Sequence, residues 1–173
     1  MIADTITSIN LNNLEKKTIE IPIEKNFICL RSLNPNKTRF EVEYSLEKGS
    51  CTNSFLIKYP NNKTKENESF ILIHPPGLTF EKEFLEKFET LISKSSSEIK
   101  LVMGHINPNK VAFVKKLNIR YKNITIICSN PGAKLLNEIW NQKQPTKDQN
   151  SNAESKIKES LPKIQIIKQI ENL

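Results

Sequence analysis

Glycine is scarce, with four residues in 173, and no GxGxxG or GxxxxGK(S/T) spacing occurs. Neither standard phosphate-binding loop is therefore available. Histidine is rarer still, at His74 and His105 alone, and the aspartates are Asp4 and Asp148. A dinuclear metal site made of carboxylates and imidazoles takes about half a dozen such ligands, so beyond its glutamates the chain offers little to build one. No apolar run approaches the ~18 residues of a membrane-spanning helix, and the opening MIADTITSINLNN has neither a basic start nor an apolar core segment. The expectation is a soluble, cytoplasmic protein. Three cysteines make an odd count. Cys29 and Cys128 lie among β-forming apolar neighbours, where a small hydrophobe suits a core, so disulfides are not expected.

What is abundant is lysine. The net charge is +7, from 26 Lys+Arg against 19 Asp+Glu, yet only Arg31, Arg39 and Arg120 are arginines. Specific base or phosphate recognition favours the planar, bidentate guanidinium, so nucleic acid is not expected as a partner. Between Lys94 and Lys122 seven basic residues face one acid, Glu98, with only Phe113 and Tyr121 as nearby aromatics. That stretch reads first as the solvated surface of a basic protein, and second as a binding surface for an acidic partner.

Five short segments rich in β-branched and aromatic residues come first: Thr18–Ile23, Phe27–Leu33, Phe40–Tyr44, Ser54–Tyr59 and Phe70–His74. Turn-forming Asn, Pro, Lys and Gly clusters separate them, which predicts strands joined mostly by hairpins. The period then changes. Phe80, Phe84, Leu85, Phe88, Leu91 and Ile92 recur at helical steps, with Thr79 placed to cap and Glu81 in the first turn. Ile99–Met103 and Ile124–Cys128 read as strands, Pro108–Leu117 and Pro131–Trp140 as helices. Asn107-Pro108 and Asn130-Pro131 each offer a capping amide followed by a proline at the first helical position. Two successive strand-loop-helix units of this kind imply neighbouring parallel strands. Trp140, with Leu136 and Ile139, reads as packing. The division expected is a partial domain over 1–141, a polar loop over 142–162 and a further strand of the same domain over 163–173, in a chain that reads as a fragment because its sheet lacks a second layer.

In parallel α/β arrangements ligands gather beyond the carboxyl ends of strands. Here that edge carries Gly104-His105-Ile106-Asn107-Pro108-Asn109-Lys110 and Cys128-Ser129-Asn130-Pro131-Gly132. Cys128 and His105 together suggest a nucleophile and base, although no acid is placed to orient the imidazole. Without further information His105 reads as a ligand, a base or a hydrogen-bonded turn residue. His74, followed by two prolines and a glycine, reads as a strand-end turn residue rather than a ligand.

The order of pieces is more telling than any one of them. Leu30-Arg31-Ser32-Leu33, Phe40-Glu41-Val42-Glu43-Tyr44, Lys48-Gly49 with Asn53-Ser54-Phe55-Leu56-Ile57, His74-Pro75-Pro76-Gly77, Gly104-His105 and Ile127-Cys128-Ser129-Asn130-Pro131-Gly132 follow one another. Together, from about Ile28 onward, they resemble the start of a flavodiiron protein of the diflavin type found in oxygenic phototrophs. The resemblance implies the N-terminal half of a metallo-β-lactamase-like αββα sandwich, an α/β (α+β) fold with a mixed sheet and helices on one face. It also implies a family that reduces oxygen or nitric oxide at a di-iron centre, with electrons passing from NAD(P)H through FMN. The family's first ligand cluster has the form His-x-Glu-x-Asp-His, and the matching positions are His105, Asn107, Asn109 and Lys110. Only the first survives. Neutral amides cannot offset the charge of two irons, and an ammonium repels them, so no catalytic, cofactor or metal residue is expected here, and no cofactor in this chain. Similar replacements mark a subgroup of the family thought to work with a differently liganded subunit, which implies an oligomer with itself or with a flavodiiron subunit. Lys110 with Lys115 and Lys116 would suit an anion near the helix N-terminus.

Overall fold

The structure, a computed structural model, describes residues 15–37, 39–40, 44–45, 49–60, 68–92, 98–142 and 160–167. Strands β1 (Lys17–Glu24), β2 (Phe27–Asn34), β5 (Ser50–Pro60) and β6 (Glu68–Ile73) pair antiparallel in that spatial order. Strands β7 (Glu98–Val102), β8 (Ile124–Cys128) and β9 (Lys163–Ile166) then continue parallel to β6, completing a seven-stranded mixed sheet ordered β1-β2-β5-β6-β7-β8-β9. Helices α1 (Glu81–Leu91) and α2 (Pro108–Arg120) connect β6 to β7 and β7 to β8, and α3 (Asn130–Asn141) follows β8. Right-handed crossovers between successive parallel neighbours stack such helices on one face of the sheet.

That face is the core. Leu30, Leu56, Phe70, Leu72, Ile99, Leu101 and Ile126, on alternate positions of their strands, are all but inaccessible. Phe84 and Phe88 of α1 meet them and stack on each other at 5.4 Å, while Phe113 of α2 meets Phe84 edge-on at 5.4 Å and Tyr121 meets Phe88 edge-on at 5.7 Å. Such aromatic pairs add about 0.5–1.5 kcal/mol each beyond the area that they bury. Trp140 is buried on α3, with the Lys115 ammonium 5.3 Å from its ring centre.

Three local expectations change. The strand expected over Phe40–Tyr44 is instead two short strands, β3 (Arg39–Phe40) and β4 (Tyr44–Ser45), with Phe40 opposite Tyr44. Cross-strand partners share a face as residues i and i+4 of one strand do, so alternation alone does not separate the two arrangements. Residues 41–43 lie outside the described residues, as do 143–159 of the expected polar loop and 168–173 of the expected last strand. Thr79 does not cap α1. It sits in a 3₁₀ turn over Leu78–Phe80, and α1 follows with Phe80 at its cap position and no side-chain cap, its first turn carrying Glu81 and Glu83, which complement the positive end of the helix dipole. At α3 the cap is Ser129, whose Oγ accepts from Gly132 N at 3.2 Å, and Asn130 already lies inside the helix.

Candidate functional site

The carboxyl ends of β6 and β7 are adjacent, since Ile73 and Val102 are register partners and His74 N donates to Val102 O at 3.0 Å. Two loops leave from here. One is His74-Pro75-Pro76-Gly77 after β6, and the other is Met103 to Asn107 after β7, ending where Asn107 caps α2 through a 2.8 Å bond from Lys110 N to its Oδ1. They are fastened together. Asn109 Oδ1 accepts from Leu78 N at 3.0 Å, and Gly77 lies so close beneath the Asn109 amide that a Cβ there would stand 2.1 Å from Nδ2. His74 adopts φ 58°, a left-handed conformation uncommon outside glycine, and its carbonyl accepts from Ser54 Oγ at 2.8 Å.

Lys110 closes the arrangement. Although charged, it is only 8% exposed, and its Nζ lies 2.8 Å from His74 Nε2 and 3.3 Å from Nδ1. An ammonium can only donate, so a ring nitrogen that bonds to it must be unprotonated, which requires a neutral imidazole. The surroundings enforce that state: burial first, then the Lys110 charge, then His105, hold the His74 pKa below its ordinary value. Burial likewise lowers the Lys110 amine. His105 itself is exposed.

Of the four ligand-loop positions, then, one imidazole faces solvent, two amide oxygens already accept from backbone N–H groups, and the fourth is a buried cation. Among the described residues there is no group of three or more His, Cys, Asp or Glu that could hold a metal ion. The residues present do not fit a di-iron centre. The anion cluster is not assembled either, because Lys115 Nζ donates to Trp140 O at 2.8 Å and Lys116 lies 4.0 Å from Glu81, both a turn or more along α2 from Lys110. Within the described part of 94–122, Arg120 pairs with Glu89, Lys110 is buried, and Lys100 stands over the Tyr59 ring. Cys128 is 1% exposed and burial raises its pKa, so a Cys128 thiolate nucleophile has no support.

The His74–Lys110 contact was not anticipated from the sequence. A signal existed, since Lys110 shares the helical stripe of Phe113, Val114 and Leu117, all buried, at steps of three, four and seven.

A mixed sheet with helices on one face and its reactive loops at the carboxyl ends of parallel strands defines a metallo-β-lactamase-like α/β unit. No family model matches the chain. Individual relatives do. Diflavin flavoprotein A 6 of Nostoc sp. PCC 7120 is 38% identical over 113 residues, covering 65% of this chain and 18% of its own length. Diflavin flavoprotein A 3 of Synechocystis sp. PCC 6803 is 31% identical over 124 residues, covering 71% and 19%. The metal-soaked flavodiiron core of Flv1 from Synechocystis superposes with a TM-score of 0.69 at 26% identity, over 89% of this chain and 32% of that one. A crystallised fragment, residues 1–254, of diflavin flavoprotein A 5 from Nostoc gives 0.69 at 24% identity, over 92% and 53%. The chain belongs to the flavodiiron family, alongside the diflavin flavoproteins, and spans about a fifth of the length of the curated relatives that it matches.

Proposed function

We propose that this chain is a metal-free, catalytically inert part of a flavodiiron-like oxidoreductase system, working in the cytoplasm beside a flavodiiron subunit that carries iron. The observation that carries this reading is the Lys110 ammonium, buried against His74 at the very loop where the family would need anionic ligands. A dication brought beside His105 meets that charge in a poorly screened setting, with no carboxylate to compensate. The family's reaction, reduction of oxygen or nitric oxide with electrons from NAD(P)H through FMN, then belongs to the partner subunit. What remains to this chain is structural: its loops are fixed by the Asn107, Asn109 and Lys110 bonds rather than by metal. Oxygen uptake by the purified chain, supplied with ferrous iron and chemically reduced FMN, is expected to match a protein-free control. Turnover that scales with chain concentration would end the proposal.

A further inference from the structure

One inward position of the sheet is out of keeping with its neighbours. Leu30, Leu56 and Leu72 line the helix-covered face, yet Ser54, in register with Leu30 and two residues before Leu56 on β5, is polar and fully buried. A buried hydroxyl costs free energy unless it is bonded, and this one donates to His74 O at 2.8 Å. The acceptor is itself irregular. Phe55 pairs with Ile73, so Ser54 stands where the next residue of β6 would continue the ladder, but His74 turns out of it at φ 58°. A residue with a Cβ is disfavoured there. The other positive φ among the described residues falls on Gly49, at 75°, the residue type that takes it without strain. A glycine at position 74 would serve the backbone equally well, but it would give Lys110 no imidazole.

What holds a strained histidine here is the fixing of both peptide planes beside it. φ and ψ are the rotations between the plane that carries a residue's N–H and the plane that carries its C=O. The first plane is pinned by the 3.0 Å bond from His74 N to Val102 O, which any residue leaving β6 with an N–H could make. The second is pinned by Ser54 Oγ. With both planes set, the direction in which the ring leaves the chain is set too, and its Nε2 lies 2.8 Å from Lys110 Nζ. We infer that Ser54 is a positioning residue for the His74–Lys110 pair: its hydroxyl holds the left-handed backbone that presents the His74 ring to the Lys110 ammonium. This inference rests on the same contact that the reading above uses, and adds the group that sets it up. Without the hydroxyl the carbonyl loses its partner, residue 74 returns to an extended conformation, and the ring withdraws from Lys110.

NMR on Ser54→Ala, with Ser32→Ala as the control, is the test. Ser32 is buried on the same sheet face, and its hydroxyl bonds to Thr18 Oγ1 at 2.9 Å rather than to the β6 loop. In the native chain burial and the Lys110 charge hold the His74 pKa below its ordinary value. In Ser54→Ala the His74 titration is expected to move up toward that value and the His74 backbone carbon shifts toward those of extended chain. Acetylation of Lys110 by trace acetic anhydride, read by peptide mass mapping, should rise several-fold. Ser32→Ala should lose stability and leave all three at their native values. A folded Ser54→Ala chain with native His74 titration and native Lys110 protection overturns the inference, as does a Ser32→Ala chain that shifts them as far. Should Ser54→Ala fail to fold, Ser54→Cys, whose thiol donates only weakly, is read by the same measurements with the same two outcomes. Iron retention keeps the two readings apart: an iron-binding chain whose His74 responds to Ser54→Ala contradicts the metal-free reading alone, and an iron-free chain whose His74 does not respond contradicts this inference alone.

Discussion

Replacing Lys110 with methionine isolates the physical content of the site. Methionine keeps most of the stem length and removes the ammonium. In the native chain that ammonium is 8% exposed, with a neutral imidazole as its hydrogen-bond partner rather than a carboxylate. Effective desolvation of a buried ion costs several kcal/mol, and one hydrogen bond to a charged group returns about 1.5–3 kcal/mol. His74 loses that bond, but it is only half-buried and water can replace the donor. The expected net effect is a gain of about 1–2 kcal/mol in stability, which for a chain of this size raises Tm by about 2–8 °C. Because the native His74 pKa is depressed, the unfolded chain binds more protons just below pH 6.5, so native stability is fully present above 6.5 and falls as pH drops through the folded value. The lowered Lys110 pKa adds a second rise in stability at alkaline pH. In Lys110→Met the alkaline rise should vanish and the acid loss shrink, with the His74 pKa moving back up by NMR titration. Urea unfolding from acid to alkaline pH reads all of this. A Lys110→Met chain that is less stable by 1 kcal/mol or more at neutral pH, or that keeps both pH slopes, refutes the buried-cation reasoning.

Gly77→Ala should cost about 1–2 kcal/mol by driving a methyl into the Asn109 amide and breaking its bond to Leu78 N. In Asn109→Ala the same substitution should cost much less, and strict additivity in that double-mutant cycle would contradict the zipped-loop geometry. Iodoacetamide near neutral pH should label exposed Cys51 and leave buried Cys128 and Cys29 unmodified in the folded chain, as peptide mass mapping would read; rapid labelling of Cys128 would reopen a nucleophilic role.

Much of this architecture was legible in the residue pattern, because burial on one face imposes a period that the sequence must obey. The parallel units announced themselves through apolar strands followed by Asn-Pro junctions, and Asn107 caps α2 as its chemistry suggests. At the second junction the same dipeptide misled. Ser129 precedes Asn130, both are good caps, and a one-residue shift of the helix start decides between them. Phe40 and Tyr44 were ambiguous for a different reason: a hairpin and a single strand put them on the same face. The expected loss of ligand chemistry at Asn107, Asn109 and Lys110 rests on residue type alone, since that is what charge complementarity with a metal depends on. What occupies the loop instead was not, since the His74–Lys110 contact joins residues 36 positions apart and depends on how β6 and β7 pair.

The most direct measurement is iron retention after anaerobic reconstitution with ferrous iron and desalting, followed by Mössbauer spectroscopy on an iron-isotope-enriched sample. The expected result is a chain that leaves the column essentially free of iron, with His105 unperturbed by NMR. Stoichiometric iron giving a spin-coupled binuclear spectrum, with His105 as a ligand, would show that amides and a buried ammonium can serve where carboxylates were held to be indispensable.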